Sequence, residues 1–118
     1  DRPSWDENGE GYFLTTEGME FFHDQYANDE ADLADPRYSP IYAELAGVAP
    51  ATVVTAEFDP LRDEGIALVD AMRQAGVDVT HHHAEGMIHG YLQMIGMVDA
   101  ATEAMELSAQ AIRTAFTT

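Results

Sequence analysis

Residues 52–65 read TVVTAEFDPLRDEG, and this stretch decides the fold. It opens as a short, β-branched apolar run, bounded by Pro50 before it and Asp59-Pro60 after it. Such a run predicts a buried strand over Thr52–Phe58. Pro60 fixes its own φ and pushes Asp59 towards an extended conformation, so the carboxylate sits rigidly at the strand tip. Arg62, Asp63 and Glu64 then open a helix, where acidic side chains suit the positive end of the dipole. Ile66, Val69 and Met72 share one side of that helix, Leu68 and Ala71 widen its apolar face, and Gly76 is a good terminator near Ala75.

The next segment, VDVTHHHA, alternates and predicts a second strand over Val77–His83. Strand, helix and strand with short connections imply a parallel pair joined by a right-handed crossover. Upstream, Asp1–Gly11 reads as turn-rich, with Pro3, Asn8, Gly9 and Gly11. Thr15 or Thr16 caps a helix in which Met19, Phe22 and Tyr26 fall at helical spacing, fading near Ala27. Positions 28–39 form an acidic loop. Downstream, Met94, Val98, Ala101, Met105, Ile112 and Phe116 follow three- and four-residue steps, which predicts a last helix from about Tyr91 to about Ala115. The fold class expected is α/β, with parallel strands and flanking helices.

The chain has 118 residues, a formal net charge of −17 and no cysteine. Its length suits one small domain. The acidity argues against nucleic acid and anionic membrane surfaces as partners, because phosphates would repel it. Without cysteine there is no disulfide, thiolate metal site or thiol nucleophile. A cytoplasmic location is the expectation, although the absence of cysteine does not fix it. No apolar stretch is long enough to span a bilayer. The segment DRPSWDENGEG is acidic and polar, unlike a signal peptide, and reads like mid-chain sequence.

In open α/β sheets, ligands sit outside the carboxyl ends of the strands. Asp59 and His89 both follow strands at that edge, His89 between Gly86 and Gly90. A carboxylate there can accept the Nδ1 proton of an imidazole, fix its tautomer and stabilise its charged form, making the histidine a general base. The blander reading is an Asp-Pro turn and an inert histidine.

These residues carry a resemblance. DPLRDEG at Asp59–Gly65, followed about thirty residues later by IHGY at Ile88–Tyr91, resembles the hormone-sensitive lipase family of α/β-hydrolase esterases. The stretches DPRYSPIYAELAGVAPATVV and NGEGYFLTTEGMEFFHDQY resemble the same family, so the likeness covers nearly the whole chain. The resemblance implies that Asp59 is the acid and His89 the base of a catalytic triad, with Tyr91 where the family usually has Phe. It implies the C-terminal part of an α/β-hydrolase fold over residues 1–118, hydrolysis of small carboxylic esters, and no metal or organic cofactor.

The family's nucleophile elbow and oxyanion loop have no counterpart here. The serines are Ser4, Ser39 and Ser108, none in a G-x-S-x-G context. A base without a nucleophile has nothing to activate, so the chain alone is expected to be inactive. Two strands with unpaired edges also predict self-association, or association with the missing N-terminal half. One rival reading is a non-catalytic, oligomerising module. Another is a metal-binding module in which His81 and His83 share a strand face and His23 or a carboxylate completes the set. Glu85 is expected to help shape the histidine loop, and Asp63 to be structural. The methionines at 87, 94, 97 and 105 are expected to pack. Trp5, Phe21 and Phe22 fit core packing better than an acyl pocket.

Overall fold

A computed structural model describes residues 2–117. Two strands, β1 (Ala51–Phe58) and β2 (Val79–Ile88), form a parallel sheet. They are joined by α3 (Arg62–Gln74) and preceded by α1 (Pro3–Asn8) and α2 (Thr16–Tyr26). A last helix, α4, spans Asp99–Phe116. Single 3₁₀ turns occur at Asp32–Ala34, Pro40–Tyr42 and Tyr91–Gln93.

The sheet is covered differently on its two faces. On one, Ala56 and Ala84 pack with Tyr91, Ala101 and Ala104, and Val54, Met87, Leu92 and Val98 surround them. The alanines let α4 approach the strands closely. On the other face α3 packs, with its own Val69 fully buried. Its Gly65 lies so near β1 that a Cβ there would stand 2.7 Å from the Thr55 methyl.

The capped helix falls where its sequence places it. Thr15 accepts a hydrogen bond from the Gly18 amide at 3.0 Å and α2 follows. Several boundaries depart from the sequence reading. The turn-rich segment contains a helix, α1, with Pro3 in its first turn. Six residues are too few for apolar periodicity to reveal.

Strand β2 starts at Val79 and continues past His83 to Ile88. Its pairing is regular from Ala51↔Val79 to Ala56↔Ala84, then jumps to Phe58↔Ile88. Four steps along β2 therefore match two along β1, and Gly86 supplies a positive φ of 73° within that irregularity. The last helix begins at Asp99, not near Tyr91. Gly96 adopts φ 81° and Val98 is extended, which ends the helical path there. Val98 still packs on the alanine cluster, so the apolar spacing survives without the helix. Met97 and Met105 are exposed, as are Phe21 and Phe22, so these four do not pack in the core. In α2 only Met19 is buried.

Candidate active site

The strand ends bring the two sequence candidates together. His89 Nδ1 lies 2.9 Å from Asp59 Oδ2. The other carboxylate oxygen, Oδ1, accepts the Leu61 amide at 2.8 Å, an Asx turn that fixes the side-chain rotamer. An ionised carboxylate only accepts, so Nδ1 of a neutral His89 carries the proton and Nε2 is left with the lone pair. The Asp59 side chain is 13% exposed and that of His89 37%, so the acid is shielded while the base keeps access to solvent. Both line a cleft of about 1120 Å³, together with Trp5, Tyr38, Leu61 and Arg62.

The acid turn is built by residues distant in sequence. Ser4, completely buried, donates its hydroxyl to the Pro60 carbonyl at 2.6 Å. Its amide donates to Asp63 Oδ2 at 2.9 Å. Asn8, 3% exposed, directs its amide nitrogen at the carbonyls of Glu57 and Asp59, at 3.3 and 3.4 Å. Arg62 ties Asp63 at 2.8 Å and Glu7 at 2.7 Å. The Arg62 guanidinium, opposed by partial burial and helped by the Ser4 amide, holds the Asp63 carboxyl below the usual carboxylate range. Asp63 is thus structural in its contacts. The base loop is anchored from β1, where Glu57 Oε2 accepts the Gly86 amide at 2.6 Å. The carboxylate on that backbone is Glu57, and the sequence reading named Glu85 instead. A signal existed, since Glu57 is the one charged residue of β1.

The hydroxyls of all three serines are bonded to backbone carbonyls: Ser4 to Pro60, Ser39 to Leu33 and Ser108 to Ala104. None of these bonds involves His89, although Ser39 lines the same cleft. His81 and His83 do share a face, and both rings turn to one hydroxyl. His81 Nε2 and His83 Nδ1 each stand 2.9 Å from Thr55 Oγ1. Burial, with Arg73 and His83 nearby, lowers the His81 pKa from its ordinary value. His23 instead sits against Trp5 and Tyr38. Among the described residues no three histidine or carboxylate groups gather as a metal site.

A strand tip carrying an Asp is thus hydrogen-bonded to a His at the next strand tip, beside a cleft. The chain belongs to the α/β-hydrolase fold family, whose model matches residues 1–93. It is 37% identical over 113 residues to ethyl acetate hydrolase of Pseudomonas putida, which covers 95% of this chain and 36% of that protein. With esterase LipI of Mycobacterium tuberculosis it shares 40% over 114 residues, covering 94% and 35%. Among solved structures, EstE1, a thermostable carboxylesterase cloned from a metagenomic library, superposes with a TM-score of 0.92 at 39% identity. That match covers 96% of this chain and 39% of EstE1. The chain therefore spans little more than a third of the length of these relatives.

Proposed function

We propose that this chain supplies the acid and base of a carboxylic-ester hydrolase, Asp59 as the acid and His89 as the base. The observation that carries the reading is the 2.9 Å bond between His89 Nδ1 and Asp59 Oδ2 at the rim of the cleft. In the intact enzyme His89 Nε2 removes the proton of a serine outside this chain as that serine attacks the ester carbonyl. Asp59 holds the imidazole in the right tautomer and stabilises its charged form. His89 then returns the proton to the departing alcohol, and next takes one from the water that cleaves the acyl-enzyme. Backbone amides outside this chain would hold the oxyanion. The esterase relatives support small esters as the substrate class.

The chain is read as the C-terminal portion of the domain, inactive alone and working joined to the rest of the hydrolase or to another copy. The sequence without G-x-S-x-G and the three engaged serine hydroxyls favour this. A chromogenic short-chain ester tests the proposal, with this chain and with a longer polypeptide that includes a G-x-S-x-G segment. Activity is expected only in the longer polypeptide, and should vanish with His89→Ala. Hydrolysis by the 118-residue chain that survives His89→Ala would overturn the assignment. Sedimentation of this chain as a well-folded monomer at micromolar concentration would sink the association.

A further inference from the structure

We propose that Ser4 and Asn8 are positioning residues that set the acid turn from outside the strand–helix–strand unit. The inference rests on reading Asp59 as the triad acid. The carbonyls of Glu57, Asp59 and Pro60 mark the path on which the chain leaves β1 and turns into α3. Each of them accepts a hydrogen bond from α1: Asn8 Nδ2 reaches Glu57 and Asp59, and Ser4 Oγ reaches Pro60. The Ser4 amide adds a fourth bond to Asp63, and the Asp63 amide approaches Ser4 Oγ at 3.3 Å. These contacts span about fifty to sixty positions of sequence and bury both side chains almost completely. Buried serine and asparagine are uncommon unless their polar atoms are paired, and here the partners are the backbone of one turn.

The consequence is directional. The Leu61 amide that fixes Asp59 Oδ1 belongs to the same turn as the Pro60 carbonyl that Ser4 holds. Releasing that carbonyl frees the Asx turn, and with it the angle at which Oδ2 meets His89 Nδ1. Ser4 and Asn8 therefore act through Asp59, without touching the imidazole. Asn8 needs its NH₂ for this role, because two carbonyls face it. A carboxylate of the same shape would repel both.

The test uses NMR of the 118-residue chain and needs no ester. Its readouts are the low-field proton of His89 Nδ1 and hydrogen exchange at the Leu61 amide. Asn8→Asp and Ser4→Ala should each broaden or remove the His89 signal. Each should also speed Leu61 exchange by about tenfold, the loss of one hydrogen bond. Thr16→Val is the control, since it deletes one side-chain bond onto α1, from Thr16 Oγ1 to the Trp5 carbonyl, and leaves every bond between α1 and the turn in place. It should leave both readouts as in the parent chain. If Asn8→Asp fails to fold, Ser4→Ala decides alone. A parent-like His89 signal and Leu61 exchange rate in Ser4→Ala, or equal losses with Thr16→Val, would overturn the proposal. Failure of the esterase reading would leave these readouts unchanged and appear only in the ester assay.

Discussion

The two strand tips are held in opposite ways. The acid tip is enclosed by polar bonds from two helices: Ser4 and Asn8 from α1, Arg62 and Asp63 from α3. The base tip has one carboxylate, Glu57, on the Gly86 amide, and one buried ring, Tyr91, in the alanine cluster. Hydrogen bonds are directional, whereas apolar packing tolerates rotation about the buried group. The acid is thus oriented by its surroundings, and the imidazole is oriented chiefly by the acid. That suits the proposed role, in which His89 Nε2 first accepts a proton and later releases it.

The strongest way to break this contrast is Asp59→Asn in a longer polypeptide that carries a nucleophile. If the acid orients the base, Asp59→Asn should lower kcat by about 10⁴-fold, within roughly a hundredfold of His89→Ala. A variant within tenfold of the parent enzyme would mean that the base tip orients its own ring. Gly65→Ala comes next. Its new methyl meets the Thr55 Cγ2, and Thr55 cannot rotate away without releasing His81 and His83. Urea unfolding should show a loss of about 1–3 kcal/mol.

At the base tip the sign reverses. Tyr91 is buried, and its hydroxyl has no hydrogen-bond partner among the described residues. Tyr91→Phe should therefore raise unfolding free energy by about 1 kcal/mol in the same urea titration. A loss of stability would show that the hydroxyl is engaged after all.

The smallest expected effect is a pH dependence on the face beneath the acid tip. Folded His81 resists protonation, whereas in the unfolded chain it takes a proton near its ordinary value of 6.5. The unfolded state then binds more protons between those two points. Stability should be fully present above about pH 6.5 and decline as pH falls through the folded value of His81. Asp70 opposes this shift, while Arg73, His82 and His83 reinforce it. His81→Gln should flatten the slope of urea midpoint against pH. An unchanged slope would remove His81 from the account.

Much of this arrangement was legible in the chain. The β-branched run, Asp59-Pro60 and the helix after it placed the acid, because each signal is local. His89 was legible because glycines flank it beyond a second strand. The contacts that escaped share one property: their partners lie far away in sequence. Asn8 read as a turn residue and Ser4 as a serine outside any G-x-S-x-G context, since nothing nearby announces that they bond to positions 57 to 63. Glu57 lost its role to Glu85 because the irregularity of β2 depends on pairing with β1. The start of α4 was misplaced because Val98 packs at helical spacing from an extended backbone. Phe21 and Phe22 read as core residues, yet stand exposed on α2.

Asp59 and His89 arrive on a single strand–helix–strand unit and meet there through a direct bond. Ser4 and Asn8, which brace that unit, lie upstream within the same 118 residues. On the proposed reading, recombination between related hydrolases at a junction before Ser4 would transfer acid, base and brace as one inherited block. The new serine would then have to fit only the exposed nitrogen of His89. Chimeras joined there should keep a working acid–base pair, whereas a junction between Asn8 and β1 would separate the pair from the segment that shapes it.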